Sequence, residues 1–143
     1  MTIRTSRRRA LGLLASAPLA GLARAAEPPV ALRAIRRTLE VNGKAAPVYG
    51  LVGPDGKPGL AMKFGQPFRV RLANELDVAT LIHWHGLTPP AAQDGVPDFS
   101  QPVLRPGESY DYDFPITRSG THWMHSHVGL QEQQLLAAPM VAI

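Results

Sequence analysis

The 143-residue chain contains no cysteine. No disulfide can staple it, so the fold must rest on its core alone. The missing thiolate also excludes a blue-copper site within this chain, because such a site needs one. No apolar run reaches membrane-spanning length. There is no internal repeat, and no low-complexity segment beyond the N-terminal stretch. Basic character is absent where it would matter. The formal net charge is +4, yet five of the fifteen basic residues (Arg4, Arg7, Arg8, Arg9 and Arg24) lie near the N-terminus. From Ala26 onward there are 10 basic and 11 acidic residues, a net charge near −1. The high isoelectric point therefore gives no support for nucleic-acid binding.

The N-terminus reads as a targeting segment over residues 1–26. Ser6-Arg7-Arg8-Arg9 precedes an apolar or small stretch from Ala10 to Leu22, and Ala23-Arg24-Ala25 offers a small-x-small cleavage site. Paired arginines ahead of an apolar stretch resemble a twin-arginine export signal, which implies a periplasmic or extracellular protein. Residues 27–143 then read as a single domain, long enough to bury a core. The chain's 14 prolines and 13 glycines, most of them in this domain, suit many turns.

The periodicity of that domain is mostly two. Phe68, Val70 and Leu72 alternate with Arg69 and Arg71, and Tyr110, Tyr112 and Phe114 alternate with Asp111 and Asp113. Both runs read as half-buried strands. Further strands are expected over Leu32–Val41, Val48–Val52, Val78–His85, Gly120–His127 and Met140–Ile143, with a turn at Asn42-Gly43. Gln131–Leu136 reads as a helical turn. The stretch from Thr88 to Gly107 is long and rich in proline and glycine, and a loop of that length is more often functional than a plain connector. Short strands with regular turn signals predict an all-β, antiparallel sandwich. The stop at Ile143 inside an apolar run suggests a domain truncated at its C-terminus, or one that meets another polypeptide.

What the chain does have is histidine in pairs. Four of its five histidines lie in His83-Trp84-His85 and His125-Ser126-His127. In an extended strand, residues i and i+2 point to one face, about 6–7 Å apart. Two such pairs on neighbouring strands would make a wall of four imidazoles. Imidazole suits copper and zinc. A bare imidazole flanked by Ile82, Trp84, Trp123 and Met124 would be costly to bury, and a metal supplies the missing partner. His122 stands three before His125, so alternation turns it to the opposite face, as a surface or second-sheet histidine. Trp84 and Trp123 read most simply as core residues that lock strand packing, and Asp98 and Glu108 as solvated loop residues.

Taken in order, His83-Trp84-His85-Gly86, Asp94-Gly95-Val96-Pro97, Pro106-Gly107-Glu108 and Gly120-Thr121-His122-Trp123-Met124-His125-Ser126-His127 resemble the first domain of a multicopper oxidase of the laccase-like kind. The resemblance runs from about Leu39 to Ile143. It implies a Greek-key β-sandwich of the cupredoxin (plastocyanin-like) type and a copper-dependent oxidoreductase with O2 as acceptor. It implies that His83 ligates a type 2 copper and that His85, His125 and His127 ligate a type 3 pair. It implies that Asp94 supplies protons beside the cluster; on its own, Asp94-Gly95 would read as a turn.

The departures from that family are as specific. The other two His-x-His motifs of the cluster are absent, and so are the Cys, His and Met of a type 1 copper. Half of the trinuclear ligands are present, so the chain alone is expected not to oxidise a substrate. The remaining cupredoxin domains would be needed in cis or in trans. The reducing substrate is set by the type 1 region and stays open between phenols, Cu(I) and other reductants. A second reading needs only these four imidazoles: a non-enzymatic exported copper-binding module, a sink or carrier. A structural relative serving as an interaction domain is the third, although it would have no need for intact ligand pairs.

Overall fold

The computed structural model describes residues 27–143, so the export-signal expectation lies outside the described residues. Eight strands run in the order β1 (Val30–Val41), β2 (Lys44–Val52), β3 (Leu60–Met62), β4 (Pro67–Asn74), β5 (Ile82–His85), β6 (Ser109–Pro115), β7 (Gly120–Ser126) and β8 (Ala137–Ala142). They form two four-stranded sheets, ordered β2-β1-β4-β6 and β3-β8-β7-β5. The two-sheet, cupredoxin-like sandwich expected from the sequence is the fold observed, but the all-antiparallel expectation needs correction: β1 pairs β4, and β3 pairs β8, in parallel, since neither pair is joined by a hairpin. Among the described residues, no helix is long and apolar enough to cross a membrane.

Period-two patterning explains why these segments pair as they do. In β4, Phe68, Val70 and Leu72 are fully buried, while Arg69 and Arg71 point outward to Asp113 and Asp111 of the adjoining β6. In β6, Tyr112 and Phe114 turn inward. Trp84 of β5 closes the core from the other sheet. Its ring meets Phe68 edge-on at 4.8 Å and Tyr112 at 4.7 Å, and Phe68 in turn stacks on Phe114 at 4.6 Å. Trp84 is thus a core residue, as its flanks suggest. Burial also pushes the Tyr112 hydroxyl well above the usual tyrosine range, against a hydrogen bond from Gln101 at 3.2 Å.

Two strand expectations need correction. The strand read over Val78–His85 is confined to Ile82–His85. Ahead of it, Thr80 forms an isolated bridge to Leu104 rather than a ladder with β7, so the chain leaves the sheet there. The last strand begins at Ala137 rather than Met140, because it must run the length of β7. The helical turn read near Gln131–Leu136 is a run of turns, in which Gln134 N bonds Leu130 O and Leu136 N bonds Gln131 O.

Register decides where the histidines go. Strands β5 and β7 are antiparallel, with Trp84 opposite Met124 and His83 opposite His125. Trp84 and Met124 are fully buried in the core. Their odd-numbered neighbours must then share the other face of the same sheet. A slip of one residue would carry every imidazole into the core and both core side chains out of it.

Candidate metal centre

Four imidazoles meet on that outer face. The ring centroids of His83 lie 5.8 Å from His85, 5.5 Å from His125 and 4.6 Å from His127, and His125 lies 4.9 Å from His127. The ring nitrogens that His83, His85 and His125 can offer all lie within 4.8 Å of one another, a spacing that can hold a metal ion. His127 sits one residue past the end of β7, and its backbone N–H bonds Leu81 O at 3.2 Å. The structure therefore brings together all four histidines singled out by the sequence.

The ring orientations follow from elementary donor logic. His83 Nδ1 lies 2.8 Å from the Asp94 carbonyl and 3.3 Å from the Asp94 carboxylate. Both are acceptors only, so Nδ1 carries the proton and donates, leaving Nε2 with a free lone pair. His125 is similar. Its Nδ1 lies 3.0 Å from the Glu132 carboxylate and 3.3 Å from the Ser126 carbonyl. The ring is only 5% exposed, and its Nε2 is buried with no protein partner. A buried polar atom in this condition is costly unless something outside the chain satisfies it. Burial pushes the His125 and His127 imidazoles below the ordinary value, helped by the neighbouring histidines. These two imidazoles are therefore held neutral, each with one nitrogen lone pair available near neutral pH, as a metal requires.

The long loop after β5 supplies Asp94. A 3-10 turn at Ala91–Gln93 anchors it: the Gln93 carbonyl accepts from Trp84 Nε1 at 3.1 Å. The Gln93 side chain accepts from the Asp113 N–H at 2.8 Å and donates to the Asp113 carbonyl at 3.3 Å. Gly95 then passes so close to β5 that a Cβ there would overlap the Ile82 carbonyl, at a φ of +73°. Only glycine accepts both conditions. The Asp94-Gly95 pair is thus a tight turn and also the means by which a carboxylate reaches His83.

A buried polar lock holds the two histidine strands together. The Gln131 side-chain carbonyl accepts from Thr80 Oγ1 at 2.7 Å and Ser126 Oγ at 2.8 Å, while its amide donates to the Ala79 carbonyl at 2.8 Å. Ser126 Oγ accepts in turn from the Val128 N–H at 3.0 Å. The lead-in to β5 and the end of β7 are thereby tied to one side chain.

Three assignments differ from sequence reasoning or were missed by it. Trp123 is not a core residue. It is 38% exposed and stacks on His125 at 4.1 Å, with 19° between the rings, because it shares the parity of His125. Glu132, seven residues beyond His125 and across a turn, carries no signal in the sequence pattern. Glu108 does more than meet solvent: its carboxylate accepts from the Arg105 N–H at 2.8 Å and closes the turn before β6. His122 stays away from the cluster, as alternation requires, with Nε2 3.3 Å from the Arg118 carbonyl.

Comparison with known proteins gives a consistent picture. A family model described as multicopper oxidase matches residues 36–142. The chain is 42% identical over 116 residues to copper resistance protein A of Pseudomonas syringae pv. tomato, covering 80% of this chain and 17% of that protein. It is 33% identical over 105 residues to the L-ascorbate oxidase of Nicotiana tabacum, covering 70% of this chain and 18% of that one. Among solved structures, a multi-copper oxidase from Pseudomonas thermotolerans superposes with a TM-score of 0.70 at 37% identity, over 78% of this chain and 28% of that chain. The chain thus spans under a third of each of these relatives.

Proposed function

The chain belongs to the multicopper oxidase family, and from that premise we propose that its histidine face is one wall of a trinuclear copper cluster. His83 is the ligand to a type 2 copper, and His85, His125 and His127 are ligands to a type 3 pair. The observation that carries this reading is the buried, unpartnered Nε2 of His125, on a ring that joins His83 and His85 in a group of ligand nitrogens within 4.8 Å of one another. When bound, copper supplies the one-electron redox chemistry by which O2 is reduced to water. The protein's own residues hold and orient. The Asp94 carbonyl fixes the tautomer of His83, and the Asp94 carboxylate, 3.3 Å from the same ring, stands where it can relay the protons that O2 reduction consumes. The polar lock at Gln131 keeps the two pairs at working distance. The other wall, and a type 1 site that feeds electrons, come from further cupredoxin domains in cis or in trans; the small share of each relative that this chain spans supports that division. The arginine-rich N-terminal segment supports export to the periplasm or beyond.

Titration of the 143-residue chain with Cu(II) and Zn(II), followed by calorimetry and copper EPR, tests the site. Cu(II) is expected to bind more tightly than Zn(II), in the usual order of divalent affinities. His85→Ala and His127→Ala are each expected to weaken it. Unchanged binding in both variants would sink the assignment. A second reading, an exported copper sink or carrier, draws support from the copper resistance relative. The two readings separate on whether O2 uptake appears once the remaining domains are supplied.

A further inference from the structure

The two histidines that face each other across β5 and β7 are each backed by a carboxylate from a different side of the sheet. Asp94 reaches His83 from the loop after β5 at 3.3 Å, and Glu132 reaches His125 from the turn after β7 at 3.0 Å. We propose that Glu132 is the positioning residue of the second histidine pair: its charge beside Nδ1 of His125 keeps the proton on that nitrogen and thereby leaves the Nε2 lone pair free to ligate.

The surroundings of His125 leave few alternatives. Trp123 stacks on one face of the ring at 4.1 Å, so the ring is held in plane. What remains open is which nitrogen carries the proton. With the proton on Nε2, a buried N–H would lack a partner, and the bare Nδ1 lone pair would face a carboxylate. With the proton on Nδ1, that N–H donates to the Ser126 carbonyl at 3.3 Å, its positive end faces the Glu132 carboxylate at 3.0 Å, and Nε2 becomes a ligand. The bond to the Ser126 carbonyl is longer than the best range for N–H···O bonds. The carboxylate is closer but out of line with the N–H, and adds its negative charge to that long bond.

Glu132 is also held in place. Gln131, its neighbour, is pinned by hydrogen bonds to Thr80, Ser126 and Ala79, and the Glu132 carbonyl accepts from the Leu135 N–H at 2.9 Å. The backbone that carries the carboxylate is therefore fixed by the same side chain that ties β5 to β7. One dipeptide, Gln131-Glu132, sets both the spacing of the two strands and the tautomer of the most buried imidazole.

The purpose of this arrangement rests on the copper reading, but its test does not. The full 143-residue chain, nitrogen-15 labelled and free of metal, is examined by long-range proton–nitrogen correlation NMR at a pH where its imidazoles are neutral. The unmodified chain is expected to show His125 in the Nδ1–H form. Glu132→Ala is expected to shift His125 toward a mixture with the Nε2–H form, while Glu132→Gln, whose amide oxygen still presents a negative dipole to Nδ1, retains more of the Nδ1–H form. His83, held by the Asp94 carbonyl, is expected to stay unchanged in all three. Cu(II) affinity is expected to fall on the order of tenfold in Glu132→Ala and to recover largely in Glu132→Gln. The proposal is overturned if His125 keeps the Nδ1–H form in Glu132→Ala, or if Glu132→Gln loses it as fully as alanine does. The Trp84 indole resonance reports an intact core. Should the alanine chain not fold, the glutamine chain decides alone, with Nε2–H the overturning result. The expected tautomers in a chain that binds no copper would sink the copper reading and leave the positioning role standing.

Discussion

At Gly95 a single hydrogen atom is all the space allows. A methyl there would meet the Ile82 carbonyl in a left-handed backbone conformation, φ +73°. That conformation alone disfavours an L side chain by roughly 1–2 kcal/mol, and the overlap adds to it. Gly95→Ala is expected to lower the urea midpoint and to draw the Asp94 carbonyl off His83, so that copper titration weakens as well. Protonation acts at the same scale. Burial holds the His125 and His127 imidazoles below their ordinary value of 6.5. The unfolded chain therefore takes up protons first as the pH falls. The stability these groups contribute is complete above their unfolded pKa, and it is lost as the pH drops through the lower, folded values. Urea unfolding of the metal-free chain is expected to show a lower midpoint at about pH 5 than at about pH 7.5, with a shallower fall in His125→Asn.

Strands β5 and β7 depend on a polar contact that hydrophobic patterning does not reveal. Replacing Gln131 by Ala would leave the half-buried Ala79 carbonyl without its donor, and the buried Thr80 and Ser126 hydroxyls without their shared acceptor. A loss of about 1–3 kcal/mol in urea unfolding is expected, with weaker Cu(II) binding because the two pairs are no longer tied. The same elements mark what was legible in the sequence. Phe68-Val70-Leu72 and Tyr110-Tyr112-Phe114 were readable because each run buries one side of a strand and exposes charge on the other. The His-x-His pairs were readable for the same reason, since i and i+2 share a face by geometry. Leu60–Met62 was not, because three residues between Gly59 and Lys63 carry no period. The strand before Ile82 was read too long, because Thr80 is β-like in composition but bonds across to Leu104. Trp123 was misplaced by its size: parity with His125 puts it on the outer face, and parity outranks bulk there. Gln131 and Glu132 act through a turn, where no periodicity exists to announce them.

Over residues 27–143 the molecule is a two-sheet sandwich that presents a histidine-lined face, with Trp123 beside it. A ligand that binds the folded chain and not the unfolded one stabilises it by mass action, about 2.7 kcal/mol at a hundredfold excess over Kd. Cu(II) is therefore expected to raise the melting temperature of the chain, and a chelator to reverse the rise, as scanning calorimetry would measure. The sheet order carries a further consequence, one of timing. The second histidine pair lies on or just beyond β7, which sits between β5 and β8, and Leu60 of β3 pairs with Met140 of β8. The histidine sheet therefore gains its inner neighbours only after Ala137–Ala142 has left the ribosome. Pairings so distant in sequence form slowly, on the order of milliseconds to seconds. Until then each His-x-His pair stands without its opposite pair. A chain of this topology is best served by meeting its metal after folding is over.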